Sequence, residues 1–198
     1  MQKYEKIRIG NALFLDRDGV INRRIDGGYV RTPDELELLP GVAEAIAQLS
    51  ACYSRIFIVT NQQGIGKGLM SEADLSAVHR KLTDAVTAAG GRIDRIYHCP
   101  SRKEAHDFRR KPNIGMALQA RRDYPDINLH RSVMIGDAVT DMLFGRRCGM
   151  QTILVGEWPE IATKQPYLID YHFPTLAEAA AIATASRRPL KPETITVC

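Results

Sequence analysis

The stretch ALFLDRDGVIN, residues 12–22, decides how the rest of the chain is read. Ala12 to Leu15 form an unbroken apolar run, the mark of a strand buried on both faces. Such a strand should not run into paired carboxylates without a reason, yet Asp16 and Asp18 follow at once and Gly19 comes directly after. Two acids this close repel unless a cation lies beside them. Hard oxygen donors suit Mg²⁺, which takes one or two protein carboxylates and keeps waters for a substrate to replace. A carboxylate can also be a nucleophile that forms an aspartyl-phosphate, with its neighbour as general acid and base. The plain alternative is an Asx-type turn, a common use of Asp and Gly. On this short pattern alone the two readings stand level.

Outward from this stretch, strand and helix alternate. RIFIVTN (55–61) reads as a second buried strand, IDRIYHC (93–99), SVMIGD (132–137) and QTILVG (151–156) as further strands, and DYHF (170–173) as a short edge strand. Between them, PGVAEAIAQLSAC carries Val42, Ile46 and Leu49 at helical spacing. SEADLSAVHRKLTDAVTAAGG is the clearest helix: Ser71 with Asp74 forms a capping box, Leu75, Val78, Leu82 and Val86 one stripe, and Gly90-Gly91 a stop. NIGMALQARRDYP, AVTDMLFGRRCG and LAEAAAIATAS read as helices, the last a surface helix with a small-residue face. The alternation predicts an α/β fold, a Rossmann-like doubly wound parallel sheet with helices on both faces. Residues 1–186 read as a single domain and 187–198 as a C-terminal tail. In such folds ligands bind beyond the carboxyl ends of the strands. Three of those ends carry polar clusters: Asp16 to Gly19, Thr60 to Gln63, and Gly136 to Asp141.

Composition bounds the chemistry. A net charge of +4 suits small anions and falls short of a nucleic-acid footprint. No apolar run approaches the roughly 20 residues of a membrane span. The charged N-terminus lacks the apolar core of a signal peptide. Cys52, Cys99, Cys148 and Cys198 lie far apart with no CxxC, as in a reduced thiol set. The expectation is a soluble cytoplasmic protein without nucleic-acid or membrane partners. GIGKGL is not a Walker loop, because Lys67 is followed by Gly68; it reads as a flexible loop beside the substrate.

The other strand ends shift the balance for Asp16 and Asp18. Thr60 offers a hydroxyl to a phosphoryl oxygen, Lys111 a compact cation, and Asp137 and Asp141 a second acid pair one helical turn apart. These are the parts of a metal-dependent phosphoryl-transfer site, where positioning and charge neutralisation supply most of the catalysis. DRDG, TN, RKP and GDxxxD, in this order, resemble the four motifs of the haloacid dehalogenase (HAD) superfamily of phosphatases, from about Ala12 to Gly156. The resemblance implies Asp16 as nucleophile and Asp18 as general acid, then base. It implies Thr60 and the Asn61 backbone as phosphoryl binders and Lys111 as stabiliser. Mg²⁺ would be held by the Asp16 carboxylate, the Asp18 carbonyl and Asp137. For Asp141 three roles stay open: orienting Lys111, orienting a metal-bound water, or capping its helix.

Neither the Asp16–Thr60 gap nor the Thr60–Lys111 gap has room for a cap domain of about a hundred residues, so the protein should be capless. DRDGVIN, GGYV, TNQQGIGKG, YHCP and RRKPNIGM resemble the D-glycero-D-manno-heptose 1,7-bisphosphate phosphatases and their histidinol-phosphate phosphatase relatives. That resemblance lines the substrate pocket with Asp26, Gly27, Gly28, Tyr29, Thr60, Asn61, Gln62, Gln63, Arg110 and Lys111. Arg110 is the first choice for a second phosphate, with Arg23, Arg24, Lys67 and Arg109 as helpers. It also implies a monomer. The sequence departs from the branch in two places. Members usually bind zinc with Cys-x-His and Cys-x-Cys; here Cys99 remains, but Ser101, Asp107 and Arg109 stand at the other three positions, so no zinc is expected. Ala138 stands where a lysine often follows GD. The leading function is a Mg²⁺-dependent sugar-phosphate phosphatase acting on a heptose 1,7-bisphosphate. Histidinol-phosphate phosphatase is the nearest rival, ahead of a nucleic-acid end-phosphatase and a scaffold without turnover.

Overall fold

The computed structural model describes residues 7–157 and 163–187. Six strands, β1 (Ala12–Leu15), β2 (Arg55–Asn61), β3 (Arg95–Cys99), β4 (Val133–Gly136), β5 (Gln151–Val155) and β6 (Tyr171–Phe173), form one sheet in the order β3-β2-β1-β4-β5-β6. Every pairing is parallel, with Leu13 opposite Ile56 on one side and Val133 on the other. Consecutive parallel strands need a crossover, and among the described residues α1 (Val42–Ser50), α2 (Gln63–Gly66), α3 (Glu72–Ala88), α4 (Gly115–Asp123) and α5 (Val139–Arg147) lie between strands, while α6 (Leu176–Arg187) follows β6. The segments between β1 and β2 and between β2 and β3 hold only α1, α2 and α3, so the fold is capless.

The apolar run of β1 is buried on both faces, and its alternation sorts side chains between two cores. Leu13 and Leu15 join Val42, Ile46 and Leu49 of α1, Val78, Leu82 and Val86 of α3, and Leu176, Ala179, Ala180 and Ala183 of α6. Ala12 and Phe14 join Met116, Ala117 and Ala120 of α4 and Phe144 of α5. The small-residue face of α6 is thus packed inward against the sheet and α1. Ser71 caps α3 as the spacing predicts: its hydroxyl accepts from Asp74 N at 3.1 Å and the Asp74 carboxylate accepts from Ser71 N at 2.8 Å.

One element departs from expectation. GIGK is not an open loop, because Gln63–Gly66 forms a single helical turn. Its glycines disfavour helix locally, but a side chain on Gly66 would lie 2.7 Å from the Pro100 carbonyl and one on Gly64 3.1 Å from the Tyr29 ring. Close packing excludes a side chain at Gly66 and crowds one at Gly64, and tertiary contact overrides propensity. Residues 188–198, most of the stretch read as a tail, lie outside the described residues.

The strand order fixes the site. From β1 the chain crosses to β2 on one side and returns to β4 on the other, so β1 and β4 flank the point where the winding reverses. Connecting segments diverge there and leave a crevice beyond the carboxyl ends. Asp16 and Asp137 directly follow β1 and β4, and Thr60 lies one residue before the end of neighbouring β2.

Candidate active site

Beyond those strand ends lies a cavity of about 460 Å³, lined among others by Asp16, Asp18, Thr60, Asn61, Lys111 and Asp141. Lys111 is its electrostatic centre. Its Nζ lies 2.8 Å from Asp16 Oδ1 and 2.6 Å from Asp141 Oδ1, and Lys111 and Asp141 are both buried. Asp141 Oδ2 accepts from Ala138 N at 3.1 Å, so this carboxylate both caps α5 and orients Lys111. Its oxygens are thereby occupied. Asn61 fixes Lys111 from β2, its amide accepting from Lys111 N at 3.0 Å and donating to Lys111 O at 3.1 Å.

Asp18 is held differently. Burial alone would raise its pKa, but the Arg17 guanidinium, with hydrogen bonds from Asn22 and Gln62, keeps it below the ordinary carboxylate value. Arg17 Nη2 reaches both Asp18 oxygens at 2.9 and 3.0 Å, and Asn22 and Gln62 each donate at 3.0 Å. Arg17 is fully buried, and its Nη1 lies 3.2 Å from His79 Nε2. Burial and the nearby Arg17 charge push His79 down to about 3, so the ring is neutral and accepts from the guanidinium. Arg17, Asn22 and His79 carry no role in the sequence reading. His79 does fall beside the apolar stripe of α3, one turn after Leu75, which was a legible signal for burial.

Asp16 and Asp137 keep raised pKa values although each has a cation beside it. Burial first, then the Asp141 charge, raises Asp16 to about 7 despite Lys111. The same two causes raise Asp137 to about 6 despite Arg24. Asp16, Asp137 and Asp141 place one carboxylate oxygen each within 4.8 Å of one another, the only such cluster of metal-ligating side chains among the described residues. Gly19, at φ 91°, lets the chain pass so close that an added Cβ would sit 2.0 Å from Asp137 Oδ2. A positively charged Arg24 Nη2 already stands on Asp137, 2.7 Å from Oδ2, and 3.4 Å from the Asp18 carbonyl. Buried hard oxygens, raised acid pKa values and a cation drawn onto them fit a divalent ion. Gly19→Ala should therefore lower stability by about 1–3 kcal/mol and weaken divalent-cation binding, as read from a denaturant melt and a Mn²⁺ titration.

The substrate-side residues divide. Gly27, Gly28, Tyr29, Thr60, Asn61, Gln63 and Lys111 line the cavity, whereas Asp26, Gln62 and Arg110 do not. Gln62 is buried behind it, donating to Asp18 Oδ2 and, at 2.8 Å, to Thr60 Oγ1. Asp26 is exposed. Arg110, the sequence choice for a second phosphate, instead donates from Nη1 to Ser101 O at 3.2 Å. Arg23 pairs with Glu37 and Arg109 with Asp107. Of the five candidate cations only Arg24 and Lys67 face the cavity, and Lys67 Nζ sits 5.4 Å from the Tyr29 ring centroid. Ser101, Asp107 and Arg109 bond to one another: Ser101 Oγ donates to Asp107 at 2.6 Å and Arg109 Nη2 at 2.8 Å. The Arg109 hydrogen bonds hold the Asp107 carboxyl well below its usual range.

With this geometry in hand, a HAD-hydrolase-like family model matches residues 108–179. Over 186 residues the chain is 32% identical to the D-glycero-beta-D-manno-heptose-1,7-bisphosphate 7-phosphatase of Escherichia coli O6:H1, covering 90% of this chain and 96% of that protein. The chain belongs to the heptose-1,7-bisphosphate 7-phosphatase family of HAD-type phosphatases. Another member, the D-glycero-alpha-D-manno-heptose-1,7-bisphosphate 7-phosphatase of Mycobacterium bovis, is 43% identical over 131 residues, 66% of this chain and 69% of that one. A solved structure, D,D-heptose 1,7-bisphosphate phosphatase from B. bronchiseptica complexed with magnesium and phosphate, superposes with a TM-score of 0.75 at 32% identity. It covers 86% of this chain and 96% of its own. Family membership bears out the HAD fold and the phosphatase class expected from DRDG, TN, RKP and GDxxxD.

Proposed function

We propose that this HAD-type phosphatase removes the 7-phosphate of a heptose 1,7-bisphosphate through an aspartyl-phosphate on Asp16. The observation that supports the reading is a cavity lined by the Asp16 carboxylate, the clamped Asp18 carboxylate and three cations, Lys111, Arg24 and Lys67. Asp16 Oδ1 is taken by Lys111 and by Arg17 N at 2.7 Å, which leaves Oδ2 for phosphorus. Attack by Oδ2 forms the acyl–phosphate bond as the ester P–O bond breaks, and a protonated Asp18 delivers its proton to the departing sugar oxygen. Asp18 then takes a proton from water, which attacks phosphorus, breaks the bond to Asp16 and releases inorganic phosphate. Thr60 and the Asn61 backbone hold the transferring phosphoryl group, and Lys111 neutralises its charge. Because Arg17 favours ionised Asp18, loosening of that clamp accompanies the proton-donating step. The Asp16 carboxylate, the Asp18 carbonyl and Asp137 would hold Mg²⁺, which when bound withdraws charge from the phosphoryl oxygens.

Arg24 and Lys67 suit a second phosphate at the far end of a bisphosphate. Histidinol phosphate fits less well. Its cationic end would meet those same cations, while Asp16 and Asp141 are engaged with Lys111 and Asp18 with Arg17. The relatives' names include both alpha and beta anomers, so the test supplies both. Phosphate release in Mg²⁺ is measured for each heptose 1,7-bisphosphate anomer, fructose 1,6-bisphosphate, histidinol phosphate and a 3′-phosphorylated oligonucleotide. A heptose bisphosphate should lead in kcat/KM by about two orders of magnitude or more; a lead by histidinol phosphate would sink the substrate assignment.

A pH signature follows from the acids. Asp16 and Asp137 bind protons more tightly folded, at about 7 and about 6, than unfolded, at 3.8. Their contribution to stability is full below the unfolded value and is lost as pH rises through the folded ones. In EDTA, Tm should therefore fall between ~pH 4 and ~pH 7 through these groups. Saturating Mg²⁺ should flatten that slope by replacing the protons, which differential scanning fluorimetry reads directly.

A further inference from the structure

We propose that Arg24 is the protein's own counter-cation at the metal position, and that an entering divalent ion displaces it into the substrate cavity. The inference rests on the reading of Asp16, Asp18 and Asp137 as the holders of that ion. Arg24 Nη2 lies 2.7 and 2.9 Å from the two Asp137 oxygens and 3.4 Å from the Asp18 carbonyl. One nitrogen therefore touches two of the three donors. A guanidinium needs the same lone pairs that a divalent ion needs, and two cations at that spacing repel, so the two occupants exclude each other.

The surroundings make Arg24 the mobile partner. Asp137 is fixed at the end of β4, its side chain 14% exposed, whereas the Arg24 side chain is 49% exposed. Arg24 lies in the irregular segment between β1 and α1, and no other hydrogen bond or ion pair holds it among the described residues. Asp137 is also missing from the cavity wall, while Arg24 forms part of it. Once displaced, Arg24 stays tethered beside that cavity, where Lys67 is the remaining cation not committed to an acid. Metal entry thus uncovers Asp137 and releases a phosphate-binding fork in one movement. By reciprocity, a doubly anionic ligand that holds Arg24 strengthens metal binding. Neighbouring Arg23 provides the contrast, because it pairs with Glu37.

The test is Mn²⁺ binding to the full chain without substrate, followed by the loss of the free-ion EPR signal, for wild type, Arg24→Gln, Arg24→Lys and Arg23→Gln. Arg24→Gln should bind Mn²⁺ about three- to tenfold more tightly, the scale of one lost half-exposed ion pair. Arg24→Lys and Arg23→Gln should stay within about twofold of wild type. Unchanged or weaker binding by Arg24→Gln overturns the proposal. Equal tightening by Arg23→Gln also overturns it, since general charge rather than occupancy would then be responsible. If wild type and every variant bind no Mn²⁺, the metal assignment itself fails and this inference falls with it.

Discussion

Asp16→Asn is expected to abolish turnover, by about four orders of magnitude or more in kcat, while raising the thermal stability of the metal-free protein. The two effects have one origin. Asp16 is the oxygen nucleophile of the proposed mechanism, and an amide cannot form the acyl-phosphate. Burial first, and then the Asp141 charge, push the pKa of the same carboxylate to about 7 against the opposing pull of Lys111. At neutral pH its ionised form is therefore disfavoured in the fold, and a neutral amide of the same shape relieves that repulsion. Lys111 keeps Asp141 at 2.6 Å, and its ammonium can still donate to the amide oxygen. A gain of about 1 kcal/mol would shift Tm by roughly 2–4 °C in a domain of this size. Scanning fluorimetry in EDTA beside a phosphate-release assay reads both, and a fall in Tm would show that Asp16 stabilises the fold.

Lys111→Met should also eliminate most activity, but with the opposite effect on stability. Lys111 is 3% exposed and lies between Asp16 and Asp141, so its loss leaves two buried carboxylates without their cation. Breaking a buried pair from one side costs about 3–5 kcal/mol. Loss of its charge at the transferring phosphoryl group should lower kcat by about 10²- to 10³-fold. Lower pH should recover part of the stability, since protonation of the orphaned acids substitutes for the missing ammonium. Urea melts of wild type and variant at two pH values test this; equal destabilisation at both would mean that packing, not charge, is what Lys111 supplies.

The contrast between these two variants also marks how far the sequence could be read. Parallel alternation and the polar ends of ALFLD, IVTN and MIGD were sufficient to locate a crevice and the groups around it, because strand ends in this topology converge whatever the side chains do. The direction of individual side chains was not legible. Arg110 adjoins Lys111 in sequence but turns to Ser101, and Gln62 adjoins Asn61 but turns inward to Asp18 and Thr60. In irregular backbone, neighbours have no fixed period to tell which faces a cavity. Arg17 was hidden differently. It stands between the two site aspartates, and no pattern in DRDG distinguishes a surface arginine from one wholly buried on Asp18 and His79. The Gln63–Gly66 turn was obscured because its glycines serve close packing against Tyr29 and Pro100, which only the tertiary fold creates.

The most direct measurement is acid quench of wild-type protein during turnover of a heptose 1,7-bisphosphate in Mg²⁺, followed by mass spectrometric mapping of the phosphorylated residue. A single phosphoryl group on Asp16, appearing before free phosphate accumulates and missing in Asp16→Asn, is the predicted result. Turnover with no phosphorylated protein at any time, or with the group on a residue other than Asp16, would contradict it.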